Sequence, residues 1–244
     1  MTARPDDRTQ AFPSTRWSRI LARQEPRDLE ELARAYWGPI RAYLGGRLRL
    51  TDEAAGDLAQ EAFAWMLETR IFDRADPARG SFRGLLKTAL LRFALEHQRK
   101  QNAEKRGGGR APDALDEANA PPDRRSPTPE EALDAAWRRE LLQRARDRLQ
   151  AELESSGRGA YFRVFRDYFL DERDDGPDHA TLAARHGITK ADVSNWLDHA
   201  KRRYRSALRS LVLETVSDEE SLQEELRWLF GKHDPKPGAR PSPR

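Results

Sequence analysis

Residues 81–99 read SFRGLLKTALLRFALEHQR. Within them Phe82, Leu85, Leu86, Ala89, Leu90 and Phe93 recur at i, i+3, i+4, i+7, i+8 and i+11, the stripe of an amphipathic α-helix. The same period continues upstream. A helix from Glu53 to about Thr69 carries Leu58, Ala62, Phe63, Met66 and Leu67 behind a cap at Thr51 or Asp52. Before it, Leu29, Leu32, Ala35, Tyr36, Ile40, Tyr43 and Leu44 mark a helix from about Asp28, with a kink expected at Gly38-Pro39 and an end at Gly45-Gly46. Thr15 caps a short first helix bearing Trp17, Ile20 and Leu21.

Composition agrees with an all-helical reading. Valine and isoleucine together number eight, while alanine, leucine, arginine and glutamate dominate. Sheets favour β-branched and aromatic residues, and helices favour this mixture. The fold class is therefore all-α, and strand-based nucleotide-binding folds are excluded. At 244 residues and 37% apolar, the chain can build two small cores. With no cysteine it has no disulfide, thiolate metal site or cysteine nucleophile. No apolar run approaches the ~18 residues of a membrane span, and Asp6 and Asp7 interrupt any signal-peptide core, so a cytoplasmic location without membrane contact is expected.

Downstream of the 81–99 stripe the pattern stops. Gly107-Gly108-Gly109, Pro121-Pro122 and Ser126-Pro127 mark a flexible linker over 104–128 that divides two helical domains, 14–103 and 129–230. Residues 1–13 and 231–244, polar and rich in proline and charge, read as disordered. Thr128-Pro129-Glu130-Glu131 is a capping box that opens a helix with Leu133, Trp137, Leu141, Ala145 and Leu149. An aromatic helix follows at about 159–170, and a polar loop at 171–177. Over 178–206, a short helix, a turn at Gly187 and a second helix capped by Thr189-Lys190-Ala191-Asp192 form a helix-turn-helix, whose second helix extends to about Leu213. Ser217-Asp218-Glu219-Glu220 caps a last helix with Leu222, Leu226, Leu229 and Phe230.

Catalysis finds no support in these residues. The five histidines fit no ligand spacing, so no metal site is expected. Gly107–Gly109 follows no strand and reads as linker rather than phosphate loop. No cofactor and no catalytic residue are expected. Charge distribution carries more information. Residues 79–106 hold eight basic residues against Glu96 and Glu104, and residues 185–209 hold seven against Asp192 and Asp198. Acids concentrate elsewhere, at Asp52–Glu61 and Glu214–Glu225. Two basic patches balanced by acidic surfaces fit a nucleic-acid binder that also docks on a protein. On the helix-turn-helix, the early outward positions Lys190, Ala191, Ser194 and Asn195 would face base edges, and the run Lys201-Arg202-Arg203-Tyr204-Arg205 would lie nearer phosphate.

Asp57-Leu58-Ala59-Gln60-Glu61-Ala62-Phe63, then Phe72-Asp73, then Arg79-Gly80-Ser81-Phe82-Arg83-Gly84-Leu85-Leu86 resemble conserved region 2 of bacterial extracytoplasmic-function (ECF) sigma factors. The 178–206 segment is similar to their region 4. Ser14-Thr15-Arg16-Trp17, Ala35-Tyr36-Trp37, Arg106-Gly107-Gly108-Gly109-Arg110 and Glu224-Glu225-Leu226-Arg227 look like a subgroup known from planctomycetes and other developmentally complex bacteria. The resemblance implies that Asp57, Gln60 and Glu61 bind the clamp helices of the β′ subunit of core RNA polymerase, with the β flap as a second polymerase contact. It implies that Arg83, Lys87, Arg92, Arg99 and Lys100 serve the −10 element of promoter DNA. It also implies that Thr189, Lys190, Ser194, Asn195, His199, Lys201, Arg202 and Arg203 serve the −35 element. The expected function is a non-enzymatic sigma factor that directs promoter-specific initiation. The rival readings are a stand-alone helix-turn-helix regulator and a degenerate sigma paralogue acting as a protein-interaction module. No fused sensor domain is read in the sequence, so control is expected from an anti-sigma factor, a Ser/Thr kinase or the C-terminal tail. Two departures stand out. Leu91-Arg92 replaces the family's usual basic residue and Asn, and Asp198 lies in a recognition helix that is normally more basic.

Overall fold

The computed structural model describes residues 26–71, 81–107, 126–169, 177–216 and 218–231. These residues are helical, joined by turns, without a strand among them: α1 (Pro26–Leu48), α2 (Asp52–Glu68), α3 (Phe82–Gly107), α4 (Pro129–Ser155), α5 (Gly159–Phe169), α6 (His179–His186), α7 (Lys190–Leu213) and α8 (Glu219–Phe230). The all-α expectation holds. No helix among them is long and apolar enough to cross a membrane. The expected helix after Thr15, both chain ends and most of the 104–128 linker lie outside the described residues, as do Phe72-Asp73 and Arg79-Gly80.

The chain divides into two compact units, one within Met1–Trp137 and Leu213–Arg244, the other spanning Arg138–Val212. These limits differ from the linker-based boundary. The start of α4 and all of α8 group with the first unit, because their apolar residues are buried there and their acids meet the basic residues of α3. Composition points to a linker, but it carries no record of which helix groups with the first unit after it.

In the first unit α1 packs on α2 and α3, and α2 on α3. Ile40, Tyr43, Leu44, Ala59, Ala62, Met66, Phe82, Leu86 and Leu90 are almost wholly buried. Tyr36, Phe82 and Trp137 form an aromatic cluster, with Tyr36 4.6 Å from Phe82 and 4.9 Å from Trp137 between ring centroids. Such pairs contribute about 0.5–1.5 kcal/mol beyond their buried area.

Three local expectations are corrected. The first is the end of α1, which runs through Gly45-Gly46 to Leu48. A Cβ on Gly45 would sit 3.4 Å from the Ala55 methyl, and one on Gly46 3.6 Å from the Cα of Pro129, both ordinary van der Waals distances, so these glycines lie within a packed helix and do not end it. The stop is made by Arg49, at φ 52°, with Leu50 N–H donating to the Gly45 carbonyl at 3.1 Å. This is a Schellman closure with arginine in the left-handed position that glycine usually takes. The second is the length of α3, which continues past residue 99 to Gly107. The apolar stripe ends earlier, but the following Gln, Ala, Glu, Lys and Arg are good helix formers. The third is the cap of α8: Ser217, which opens the expected box, lies outside the described residues, and Asp218 caps the helix, its carboxylate accepting from Ser221 N–H at 2.8 Å and from the Ser221 hydroxyl at 3.1 Å.

In the second unit Leu149, Leu153, Phe162, Val164, Phe165, Leu182, Val193 and Leu197 form one core. Tyr204 packs on Phe165 and donates its hydroxyl to the Leu142 carbonyl at 3.2 Å, which ties α7 to α4. Gly157, at φ 72°, closes α4 with the Arg158 N–H bonded to the Leu153 carbonyl at 2.7 Å.

Candidate functional site

Three surfaces carry the expected site residues. The first is the outer face of α2. Thr51 caps the helix, accepting from Ala54 N–H at 3.4 Å, and Arg41 pairs with Asp52 beside it. Ala55, Leu58, Ala59, Ala62 and Met66 are buried, which fixes the rotation of the helix. Asp57, Gln60 and Glu61, at i, i+3 and i+4, are consequently all exposed and share one face. Among the described residues neither carboxylate has an ion-pair partner. Trp65 and Phe93, with centroids 5.5 Å apart, join α2 to α3.

The second surface is α3, and it divides in two. Arg92, Arg99 and Lys100 are exposed. Arg83 and Lys87 are not open to solvent in the same way. The Arg83 guanidinium binds Glu225 through two hydrogen bonds, Nε to Oε2 at 3.1 Å and Nη2 to Oε1 at 2.9 Å, and donates through Nη1 to Asp134 Oδ1 at 2.8 Å. Its Cζ lies 3.9 Å above the Trp228 ring. Lys87 Nζ shares Asp134 at 2.7 Å. The Arg83 side chain is only 15% exposed. Burial alone would lower its pKa. The hydrogen bonds and charges of Glu225, with those of Asp134, outweigh that and hold it above the ordinary value. Between the two regions, Leu91 and Leu95 continue the i, i+4 row from Lys87 to Arg99 and are exposed apolar residues.

Glu225, Asp134 and Trp228 escaped the sequence reading as partners of Arg83. Complementary charge was the available signal: an acidic stretch, Glu214–Glu225, with no basic residue in it, and a basic α3. Charge complementarity alone does not choose which two helices meet.

The third surface is the helix-turn-helix of α6 and α7. Asp178 caps α6, accepting from Thr181 N–H at 2.7 Å. Gly187 ends it at φ 65°, and Ile188 N–H reaches back to the Ala183 carbonyl at 3.0 Å. The left-handed turn is where glycine's missing Cβ matters. Thr189 and Asp192 then form the reciprocal box that starts α7, with Thr189 N–H on Asp192 Oδ2 and Asp192 N–H on the Thr189 hydroxyl, both at 3.1 Å. The Thr189 hydroxyl also donates to Asp192 Oδ2 at 2.6 Å, and this bond first, then the Thr189 N–H, hold the Asp192 carboxyl below its ordinary pKa. Asp192 therefore serves the helix start.

The expected −35 residues are divided between open and engaged positions. Lys190, Asn195 and Arg202 are exposed, and Asp198 lies among them on the same stripe. Thr189 is exposed, but its hydroxyl belongs to the cap. The Ser194 hydroxyl bonds the Lys190 carbonyl at 3.2 Å and lies 3.1 Å from His179 Nδ1, across the turn. Lys201 Nζ lies over the rings of Tyr168 and Phe169, 5.2 and 5.5 Å from their centroids. Arg203 pairs with Glu152 of α4. His199 stands edge-on to Tyr161, whose other neighbour is the stacked Trp196 at 4.6 Å. Partial burial first, then Arg158, Arg202 and Arg203, lower the His199 pKa. Asp167 is held below its ordinary value: burial opposes the shift, and Arg166 and His186 overcome it, the latter with Nε2 at 3.0 Å.

Among the described residues no cluster of histidine and carboxylate side chains could hold a metal ion. The chain matches no curated protein and no solved structure. The family model described as ECF sigma factor matches residues 26–168, more than half of the chain, covering α1 to α5 and stopping before the helix-turn-helix.

Proposed function

The chain belongs to the ECF sigma factor family, whose role is in transcription initiation with core RNA polymerase and promoter DNA, and on that premise we propose a division of labour among its surfaces. The face of α2 bearing Asp57, Gln60 and Glu61 docks on the β′ clamp helices. The basic residues of α3 serve the −10 element. The exposed stripe of α7, with Lys190, Asn195 and Arg202, serves the −35 element, and the chain performs no catalysis of its own. The subgroup known from planctomycetes is part of this reading, supported by Ala35-Tyr36-Trp37 and Glu224–Arg227.

The observation that carries the proposal is the exposed acidic face of α2 inside the family-matched span. Three polar side chains stand together on a helix whose opposite side is wholly committed to the core. An acidic face that finds no ion-pair partner among the described residues suits a protein partner of opposite charge, and DNA would be repelled by it. This disfavours a regulator that works without polymerase.

A second reading has a specific observation behind it. Leu91 is exposed on the row of α3 that continues from Arg83 and Lys87, and Asp198 is exposed on the α7 stripe. A paralogue that binds polymerase but selects promoters poorly would carry such changes.

One experiment separates these readings: co-elution of the purified chain with core polymerase, followed by run-off transcription from genomic fragments. The proposal expects co-elution and discrete transcripts. The interaction-module reading expects co-elution without transcripts, and a stand-alone regulator expects neither. Asp57→Arg with Glu61→Arg should abolish co-elution while leaving the far-UV circular dichroism unchanged. Wild-type recovery of that double variant with polymerase refutes the docking assignment.

A further inference from the structure

The −10 reading of α3, on which this inference rests, meets an obstacle in the first unit. Arg83 and Lys87 are already neutralised by Asp134 and Glu225. Glu225 grips Arg83 through two parallel N–H···O bonds, the geometry with which a guanidinium also takes a phosphodiester. Trp228 covers the guanidinium plane, where a base could otherwise stack. The segment holding these groups is acidic throughout, with Glu219, Glu220, Glu224 and Glu225 on α8 against Arg227 alone. Its seat combines buried Val216, Leu222 and Leu229 with one backbone bond, Phe82 N–H to the Thr215 carbonyl at 3.0 Å.

We propose that α8, together with Asp134 at the start of α4, is an autoinhibitory latch that occupies the Arg83–Lys87 end of α3 in place of nucleic acid and is displaced when nucleic acid binds there. Arg83 and Lys87 cannot serve phosphate and these carboxylates together, so each bound strand must release Glu225 and Asp134. A binding-competent fraction below one weakens apparent affinity by that fraction, and opening the latch restores it. The exposed end of α3, at Arg92, Arg99 and Lys100, stays available in both states.

The test uses the full chain and a fluorescein-labelled single-stranded DNA of 20 nucleotides and mixed sequence, read by anisotropy. Glu225→Gln with Asp134→Asn keeps the side-chain shapes and frees both cations. Glu220→Gln with Glu224→Gln removes the same charge from exposed positions of α8 and controls for a general electrostatic gain. A latch held mostly closed predicts that the first pair binds about tenfold tighter than wild type, well beyond the control pair. Adding Arg83→Ala to the first pair should remove the gain. In the wild-type chain, amides 219–230 should lose hydrogen-exchange protection at saturating DNA. That second measurement decides the matter if the double variant is poorly folded.

Unchanged affinity in the Glu225→Gln, Asp134→Asn variant, with α8 protected in the DNA complex, overturns the latch. If binding then still depends on Arg92 and Arg99, the −10 reading of α3 survives and Arg83 is a structural residue. If Ala at Arg83, Lys87, Arg92 and Arg99 all leave binding unaltered, the reading of α3 fails and the latch fails with it.

Discussion

Asp198→Arg is the most informative substitution on α7. Asp198 is exposed, on the same stripe as Asn195 and Arg202, and has no ion-pair partner among the described residues. The substitution therefore touches no packing, and the melting temperature should move by no more than an ordinary surface change, about 0.5 kcal/mol either way. If this stripe faces DNA, the effect on binding is large. A unit charge about 6 Å from a phosphate in water is worth about 0.7 kcal/mol, so reversing its sign is worth about 1.4 kcal/mol, or tenfold in Kd at low salt. Screening over a Debye length of about 10 Å reduces this to roughly fourfold at ~0.1 M. One added phosphate contact also steepens the log-log salt dependence by about 0.9. A fourfold rise in salt should then weaken the variant about 3.5-fold more than the wild type. The assay is a fluorescence anisotropy titration of the full chain on a promoter duplex between ~50 and ~200 mM salt, with Glu68→Arg on α2 as a charge-matched control. Equal gains in Asp198→Arg and the control would refute the assignment of this stripe to DNA. So would a loss of stability in Asp198→Arg.

Two further predictions concern stability. Thr128 accepts from Glu131 N–H at 3.2 Å, and its own N–H donates to the Glu131 carboxylate at 2.8 Å, so Thr128→Ala should cost about 1 kcal/mol and Thr128→Ser close to nothing, read by calorimetry. Unchanged melting in Thr128→Ala would remove the cap from the account of α4. His199, whose folded pKa lies below its ordinary value, leaves the unfolded chain to bind the proton first as pH falls below neutrality. Stability is thus unaffected above the ordinary imidazole range and declines through the window beneath it. His199→Gln should flatten the fall in melting temperature between about pH 7.5 and 5.5, and an unchanged slope would exclude His199 as its source. The Asp167 carboxyl, held low by Arg166 and His186 against the effect of burial, contributes stability that is fully present above the ordinary carboxylate range and is lost as pH falls through the lowered value.

Helix identity was legible in the residues because it depends on neighbours three and four apart. The stripe Phe82–Phe93, the boxes Thr128–Glu131 and Thr189–Asp192, and the turn at Gly187 all express local stereochemistry, and the structure bears them out. The exposed face of Asp57, Gln60 and Glu61 follows from the same periodicity once the opposite stripe is buried. Gly45-Gly46 went the other way: local preference favours a helix end there, yet the helix runs through both residues and stops at Arg49. Arg83 shows the limit most clearly. Its place on a basic amphipathic helix is a local property, but its pairing with Glu225 joins residues 142 positions apart. Sequence spacing determines which side of a helix a cation occupies. Only the packing of Leu222 and Leu229, which seats α8 in the first unit, decides whether that cation meets solvent or a carboxylate.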